Sequence, residues 1–366
     1  MAATNSQFSL FNFQFPTPAF IVDRARVQRN CDNMRNKAKA SGVAFRPHVK
    51  THKTEEVARL QHGGAIGPIT VSTLAEGEFF ADRGWRDITY AVPIAPEKLQ
   101  RAAALASRIE RLNILIDSHE ALRAIEESRQ TFDVFLKVDC GYHRAGVDPD
   151  DPDSEQLARA IAQSEFARFQ GLLTHAGHSY NSKNIDDIRR IAGEESTALS
   201  RFRALLGIDE IIRSIGSTPT ASVVDRFSDC DEVRPGNYVF YDAFQTAIGS
   251  CAPADVAVSV LATVVGVHPQ RRSLIIDAGA LALSKDLGAG TDYGRVCDER
   301  LRPLPLRLTS VSQEHGKIEG DVSHISVGTR LRIIPNHSCL TAAMFDVHYA
   351  VDGDQIVGAW RPVRGW

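Results

Sequence analysis

The sequence predicts an α/β chain built as a (β/α)8 TIM barrel with a C-terminal, mostly β domain, and three observations predict it. From Ala19 to Asp242, short β-rich apolar runs alternate with Ala/Arg/Glu-rich segments of helical length, the order of a parallel α/β protein. Almost every run ends in a polar, chemically loaded tail. After Ala252 the texture changes to Val/Ile-rich stretches without a long amphipathic helix.

In order, the runs are AFIVD, VAFRPHVK, GPITVST, DITYAVPI, LNILID, FDVFLKVD, FQGLLTHAG and IIRSIGS, followed by YVFYD. Eight strand–helix repeats close a barrel. Between the runs, EALRAIEESRQ (residues 120–130) and SEQLARAIAQSEF (154–166) place apolar residues at i, i+3, i+4 and i+7 and read as crossover helices. The tails RPHVKTHK, VST, VDCGYHRAG, THAGHSY, GSTPT and VRPGNY then gather at one rim, the face where barrels of this kind hold active sites. An open doubly wound sheet would load only the tails around its switch point. Beyond Ala252, DVAVSVLATVVGVHPQRRSLIID carries a proline-containing turn, RLRIIPNHSC reads as a strand, and FDVHYAVDGDQIVGAW reads as a hairpin turning at Asp-Gly. These boundaries place the barrel at residues 16–251 and the β domain at 252–366, with residues 1–15 either completing it or forming a loose tail.

Composition narrows the function class. The chain has 366 residues, 43% hydrophobic and 24% charged, with mean hydropathy −0.18, which are globular values. A length prior of roughly 100–200 residues per domain allows two domains. Net charge is −3 with both signs interspersed, so no basic stripe invites nucleic acid and a small molecule is the expected partner. The opening MAATNSQFSLFNFQFPTP lacks a basic segment and a long apolar run, so neither a secretory signal nor a membrane anchor is expected. Six cysteines without a C-x-x-C pair argue against a disulfide framework or a zinc ribbon and fit reduced thiols in a cytoplasm.

The stretch FRPHVKTHK (residues 45–53) crowds two lysines, two histidines and an arginine onto one strand end. A lysine there, partly desolvated and close to other cations, becomes nucleophilic toward aldehydes. Lys50 closes the apolar run and is expected to point into the barrel mouth, whereas Lys53 already lies in the loop. The bland alternative is a solvated basic loop. GSTPT offers Ser217 and Thr218 to a phosphate behind a leading glycine, or is a simple turn around Pro219. RPGNY follows, where Gly236 and Asn237 bring backbone donors and Tyr238 a hydroxyl. His175 ends a strand with Tyr180 close behind it, and a strand histidine is also a common core residue. Arg144 supplies an always-charged guanidinium for an anion, or an ion pair to Asp139 or Asp148; Arg234 is similarly open to a structural reading. In NHSC, His337 and Cys339 stand at i and i+2, so on an extended segment both leave the same face, and imidazole with thiolate suits zinc. Alone, that H-x-C motif is weak. QEHG (313–316) and DAGALALSKD (277–286) are lesser candidates.

As an ordered set, TPAFIVD, RPHVKTHK, HAGHSY, GSTPT, RPGNYVFYD, QEHG and PNHSC resemble the D-serine dehydratase and D-threonine aldolase family of alanine-racemase-type pyridoxal phosphate (PLP) enzymes, over essentially the whole chain. The resemblance implies an alanine-racemase-like barrel and β domain in a homodimer whose active site is lined from both subunits. It makes Lys50 the lysine that carries PLP. It sets His175 against the pyridine ring with Tyr180 nearby, Arg144 near the cofactor phenolate or substrate carboxylate, and Arg234 near the pyridine nitrogen. Ser217, Thr218, Gly236, Asn237 and Tyr238 fall around the phosphate. It also makes His337 and Cys339 the ligands of a catalytic zinc, with Glu314 or His315 near the metal and the 277–286 segment near the dimer interface.

The function this implies is a PLP- and zinc-dependent ammonia-lyase that converts a D-3-hydroxy amino acid, most simply D-serine, to a keto acid and ammonia. Cys339 resembles the dehydratase branch, whereas the aldolase branch resembles His-x-Asp. D-threonine aldolase activity therefore stays as the alternative, D-threo-3-hydroxyaspartate as an open substrate, and a non-catalytic PLP-binding protein as a remote third reading.

Overall fold

A computed structural model of the chain describes residues 10, 15–288 and 290–366; most of the expected N-terminal completion, residues 1–9 and 11–14, lies outside the described residues. Two compact units result. One holds the described residues up to Asn30 together with Val239–Pro362, the other Cys31–Tyr238 with Val363–Trp366.

In chain order, β1 (Ala19–Asp23) and α1 (Arg24–Ser41) lead into β2 (Ala44–Phe45), α2 (Glu55–Gln61), β3 (Ile69–Val71), α3 (Leu74–Ala81), β4 (Asp87–Pro93), α4 (Leu99–Ala106) and β5 (Arg111–Ile116). Then follow α5 (His119–Ser128), β6 (Phe132–Lys137), α6 (Pro152–Gln163), β7 (Ala167–Leu173), α7 (Ile185–Leu206), β8 (Ile212–Ile215), α8 (Thr218–Val223) and β9 (Glu232–Val233). Strands β2 to β9 form one sheet in the order β2-β9-β8-β7-β6-β5-β4-β3, and every neighbouring pair is parallel. Past Phe45, His48 bridges in parallel to Thr70, and the Thr70 N–H donates to the Pro47 carbonyl at 2.9 Å, closing the sheet into a barrel.

Local chemistry sets the elements. The run FDVFLK of β6 is buried at every position, as a strand covered on both faces requires. Ser118, Asp151 and Asn184 cap α5, α6 and α7 by accepting backbone N–H groups, and Pro152 opens α6. Gly207 ends α7 in the left-handed conformation at φ 65°. Because all eight strands run the same way, their C-terminal tails share one rim.

The other unit contains β1, α9 (Ala243–Ala247), β10 (Val258–His268), β11 (Ser273–Ile276), α10 (Ala280–Leu283), β12 (Gly294–Cys297), β13 (Pro303–Val311), β14 (Gly316–Gly320), β15 (Arg330–Pro335), α11 (Ser338–Ala343), β16 (His348–Asp352) and β17 (Gln355–Trp360). Its sheet runs β11-β14-β13-β12-β15-β10-β1-β16-β17, and a further β10–β11 pairing bends the first six strands into a ring. The β16–β17 hairpin turns at Gly353, φ 62°, where the Asp-Gly signal lies. Leu10 donates to the Asp354 carbonyl at 2.9 Å, and the Phe15 ring meets Tyr349 at 4.8 Å.

Two runs differ from the sequence expectation. AFIVD is no barrel strand: as β1 it pairs antiparallel with β10 and parallel with β16, so its apolar alternation is buried inside the other sheet. YVFYD forms no strand. A 3-10 turn spans Asn237–Val239, and the eighth barrel strand is the two-residue β9, too short to leave a periodic signal. The described residues after Pro16 up to Asn30, and residues 239–251, thus fall in the unit of the β sheet rather than within a 16–251 barrel segment. No disulfide joins the six cysteines, all of them among the described residues; Cys31, Cys230 and Cys297 are buried, and Cys140, Cys251 and Cys339 only partly so. No helix of the described residues is long and apolar enough to cross a membrane.

Candidate functional site

Lys50 lies in the turn Val49–Thr51 that follows β2, half-buried. The turn is pinned to RPGNY: His48 N–H donates to the Pro235 carbonyl at 3.0 Å, and a Cβ on Gly236 would stand only 3.1 Å from the Cβ of His48. A side chain at 236 would crowd the two segments and force one of them to give by a few tenths of an ångström. Lys53 is differently placed. Its ammonium pairs with the buried Glu76 carboxylate at 2.9 Å, and its backbone is left-handed at φ 55°.

Cations gather around Lys50. The His48 imidazole is pushed well below its usual range by burial and by the charges of Lys50 and Arg234; His175 is pushed down by burial and by Lys50, Arg144 and Lys137. Lys137, buried at the end of β6, is lowered to about 8 by burial, with Arg234 and Arg144 adding to the effect. Arg234 donates to Ser214 Oγ, to the Ile215 carbonyl at 3.1 Å and to the Thr174 carbonyl. Burial lowers it to about 10, so it remains charged at neutral pH. Arg144 is exposed over the Tyr142 ring at 5.0 Å, and among the described residues it has no salt bridge to Asp139 or Asp148. Asp139 instead accepts the N–H groups of Gly141, Tyr142 and His143 at 2.9 to 3.0 Å.

His175 Nδ1 meets the carbonyl of Gly216. A carbonyl only accepts, so Nδ1 carries the proton and Nε2 keeps its lone pair. Tyr180 lies half-buried in the turn Gly177–Asn181. Ser217 caps α8, its Oγ accepting Thr220 N–H at 3.2 Å, while Thr218 Oγ1 accepts Tyr238 N–H at 3.2 Å and keeps its own proton to donate. Ser217, Thr218, Asn237 and Tyr238 are all nearly inaccessible. A pyridine aldehyde bearing a phosphate fits this donor set: an amine for the aldehyde, and a crowd of cations and hydroxyls for its negative charges.

In the unit of the β sheet, His337 stands at the entrance to α11, and Cys339 is the helix's second residue. The expectation of one extended segment is corrected here. Only His337 is extended, at φ −133°, and the first helical turn, not strand alternation, brings the sulfur beside the ring. His337 Nδ1 pairs with Asp286 Oδ2 at 3.0 Å. Burial opposes the charged imidazole, yet Asp286 and Cys339 together hold its pKa up at about 11. Asp242 accepts the N–H of Gln245 at 2.9 Å and that of Ser338 at 3.0 Å, fixing the residue between the two donors. Asn336 adds two bonds, to the carbonyls of Asp286 at 2.9 Å and Asp292 at 2.6 Å. Among the described residues no set of three or more His, Cys, Asp or Glu side chains converges on a metal position. A nitrogen and a sulfur donor backed by a carboxylate on the far ring nitrogen still fit zinc, the carboxylate fixing the imidazole's tautomer. Glu314 and His315 stand exposed between β13 and β14.

Sequence reasoning passed over His48, Lys137, Tyr142, Glu195, Asp242 and Asp286 as site residues. Lys137 carries the same signal as Lys50, a cation closing an apolar run. Asp286 lay in a segment singled out for its place near a subunit interface, and here it holds His337 of its own chain. Asp242 and Glu195 left no local mark.

Two family models match in tandem: "Alanine racemase, N-terminal domain" over residues 22–243 and "Putative serine dehydratase domain" over 257–351. The chain is 38% identical to D-serine dehydratase of Dictyostelium discoideum, over 96% of this chain and 97% of that one. It is 40% identical to D-threo-3-hydroxyaspartate dehydratase of Delftia sp. (strain HT23), over 96% and 98%. The solved structure of the Delftia enzyme superposes with a TM-score of 0.91 at 38% identity, covering 97% of this chain and 99% of that one. Structures of two D-threo-3-hydroxyaspartate dehydratase variants superpose with the same TM-score of 0.91 at 38% identity, one with alanine for a histidine, the other with alanine for a cysteine two positions on and in the metal-free form. D-threonine aldolase of Arthrobacter sp is more distant, at 25% identity over 94% of this chain and 91% of that one. An alanine racemase-like barrel and β domain, two matching models and dehydratases related along the full length together make this chain a member of the D-serine dehydratase and D-threonine aldolase family of alanine-racemase-type enzymes.

Proposed function

We propose that this chain is a PLP- and metal-dependent dehydratase that removes the β-hydroxyl of a D-3-hydroxy amino acid, D-serine being the simplest, and releases a keto acid and ammonia. In this reading the barrel unit holds PLP and the unit of the β sheet holds the metal.

Lys50 would hold the cofactor through its aldehyde, and its Nζ, when free, would be the base that takes the substrate's α-proton. PLP, when bound, would supply an electron sink at the substrate's α-carbon. Thr218 donates its hydroxyl proton toward the phosphate, with backbone N–H groups of Ser217, Gly236 and Asn237 beside it and the Tyr238 hydroxyl within the same set. His175, its pKa pushed down by burial and by Lys50, Arg144 and Lys137 and its Nδ1 tied to the Gly216 carbonyl, would hold the pyridine ring as a neutral imidazole, with Tyr180 in the following turn. Arg234 stays charged and tied to the barrel wall, and Arg144 meets the phenolate or the substrate carboxylate. His337, oriented by Asp286, and Cys339 hold zinc, which supplies Lewis acidity to the departing hydroxyl.

The observation that carries the choice of dehydration is the sulfur of Cys339 beside His337. Its support from relatives is the same two-residue spacing of a histidine and a cysteine replaced in the D-threo-3-hydroxyaspartate dehydratase variants. The resemblance also supports a homodimer, and the free thiols support a reducing compartment such as the cytoplasm.

The test incubates purified protein with D-serine, D-threonine and D-threo-3-hydroxyaspartate, before and after chelation, and measures keto acids, ammonia, glycine and aldehydes. Chelator-sensitive keto acid and ammonia are expected. Glycine with acetaldehyde from D-threonine would move the chain to the aldolase branch, and bound PLP without turnover of any of the three would make it a carrier.

A further inference from the structure

Glu195 lies in the middle of α7, fully buried, and no step of the reaction above uses it. Burying a carboxylate is costly unless its oxygens are satisfied, and here both are. Oε1 accepts the N–H of Ala176 at 3.0 Å and that of Gly216 at 3.0 Å; Oε2 accepts the Thr220 hydroxyl at 3.1 Å.

These donors come from two rim loops. Ala176 follows His175 after β7, and Gly216 opens GSTPT after β8. The side chains behind them pack in a row: Thr220 Oγ1 lies 2.7 Å from Ser217 Oγ, Ser217 Oγ lies 3.0 Å from Ser179 Oγ, and Ser179 Oγ donates to the Ala176 carbonyl at 2.7 Å. A carboxylate can only accept, so the single proton of Thr220 is committed to Glu195, which leaves Thr220 Oγ1 to receive the proton of Ser217. Gly216 is held at both of its backbone groups, its N–H donating to Glu195 and its carbonyl accepting from His175 Nδ1. Lys50 belongs to a different segment, the Val49–Thr51 turn after β2, where the preceding His48 N–H donates to the Pro235 carbonyl.

We propose that Glu195 is a positioning residue: through Ala176, Gly216 and Thr220 it locks the His175 loop and the Ser217–Thr218 loop into the spacing that a phosphate-bearing pyridine cofactor requires. This rests on the PLP reading given above. It separates two parts of cofactor binding, since the aldehyde attaches at Lys50 and the phosphate depends on loops that Glu195 holds.

Full-length protein freed of cofactor is titrated with PLP and with pyridoxal, which lacks the phosphate, following the absorbance of the lysine-bound aldehyde. Glu195→Ala is expected to weaken PLP about tenfold or more and pyridoxal, which shares the ring contact of the His175 loop but has no phosphate to lose, by a clearly smaller factor, so that the PLP-to-pyridoxal affinity ratio falls about threefold or more. Glu195→Gln keeps the two contacts to Oε1 and is expected to fall between, and Thr220→Val, which removes only the donor to Oε2, to match it. Equal weakening of PLP and pyridoxal by Glu195→Ala, or no change in either, overturns the proposal. Where the alanine variant does not fold, Glu195→Gln and Thr220→Val decide it, and a wild-type PLP-to-pyridoxal ratio in both overturns it. A wild-type protein that attaches neither aldehyde defeats the cofactor reading itself, a separate and recognisable result.

Discussion

Lys50 and Lys53 carry the same charge three positions apart, and their surroundings divide the roles. Lys53 is consumed by Glu76, one of the buried carboxylates of the barrel, whereas Lys50 sits among cations that favour an anionic ligand. Lys50→Ala is expected to abolish the absorbance band of lysine-bound PLP, and Lys53→Ala to keep it; the reverse pattern would transfer the assignment. Lys137 makes a second expectation. Its ordinary pKa of 10.5 is lowered to about 8 in the fold, so between those values the unfolded chain binds the extra proton and this group's contribution to stability rises with pH. The same deprotonation removes a positive charge from the rim. Affinity for PLP should therefore fall as pH passes about 8, and Lys137→Met should flatten that fall when titrations at about pH 7 and about pH 9.5 are compared. A wild-type affinity level across the window would remove Lys137 from the anion site.

At the scale of elements, short segments do the positioning. The entrance to α11 presents His337 and Cys339 because Asp242 holds Ser338, and Asn336 ties the preceding residue to the backbone at Asp286 and Asp292. Asp286 then fixes the ring. Loss of such an outer carboxylate costs about 10–100-fold in metal affinity, and Asp286→Ala should show that loss in a Zn²⁺ or Co²⁺ titration of the full-length protein. An unchanged affinity would leave Asp286 a mere neighbour. The rim loop 139–146 follows the same logic: Gly177 has no side chain because any Cβ there would run into the Tyr142 ring, so Gly177→Ala should displace the platform under Arg144.

Across each unit as a whole, closure holds the elements in place. Arg46, almost inaccessible, pairs with Asp87 of β4 and Glu232 of β9 at 2.6 Å each, joining strands from three places in the barrel. Removing one partner of a buried pair leaves an uncompensated charge. Glu232→Ala should cost about 3 kcal/mol in denaturant unfolding, and a loss within error would show that Asp87 alone suffices. In the unit of the β sheet, ring closure comes from backbone pairing of β10 with β11 and β15. Chelation is accordingly expected to stop hydroxyl loss while leaving the thermal unfolding of the chain nearly unchanged; a large drop in melting temperature would mean that the metal is structural.

The barrel alternation, the loaded strand ends and the Asp-Gly hairpin were legible because each is written in a few consecutive residues, where strand period and turn chemistry act; Lys50, the GSTPT and RPGNY loops and the His337–Cys339 pair, on which the proposed site rests, are equally local in the sequence. The placement of AFIVD was not legible, since its alternation suits either sheet and only pairing with β10 and β16, far along the chain, decides between them. The two-residue β9 was invisible for want of length. Glu195, Asp242 and Asp286 are ordinary acidic residues in their own segments. Their meaning comes from the distant backbone amides and the imidazole that folding delivers to them, and buried hydrogen bonds between remote segments leave no period in the sequence. Sequence alone therefore determined the chemistry on offer and the fold that gathers it; tertiary structure decided which carboxylates hold that chemistry in register, because such partners are chosen by proximity in space.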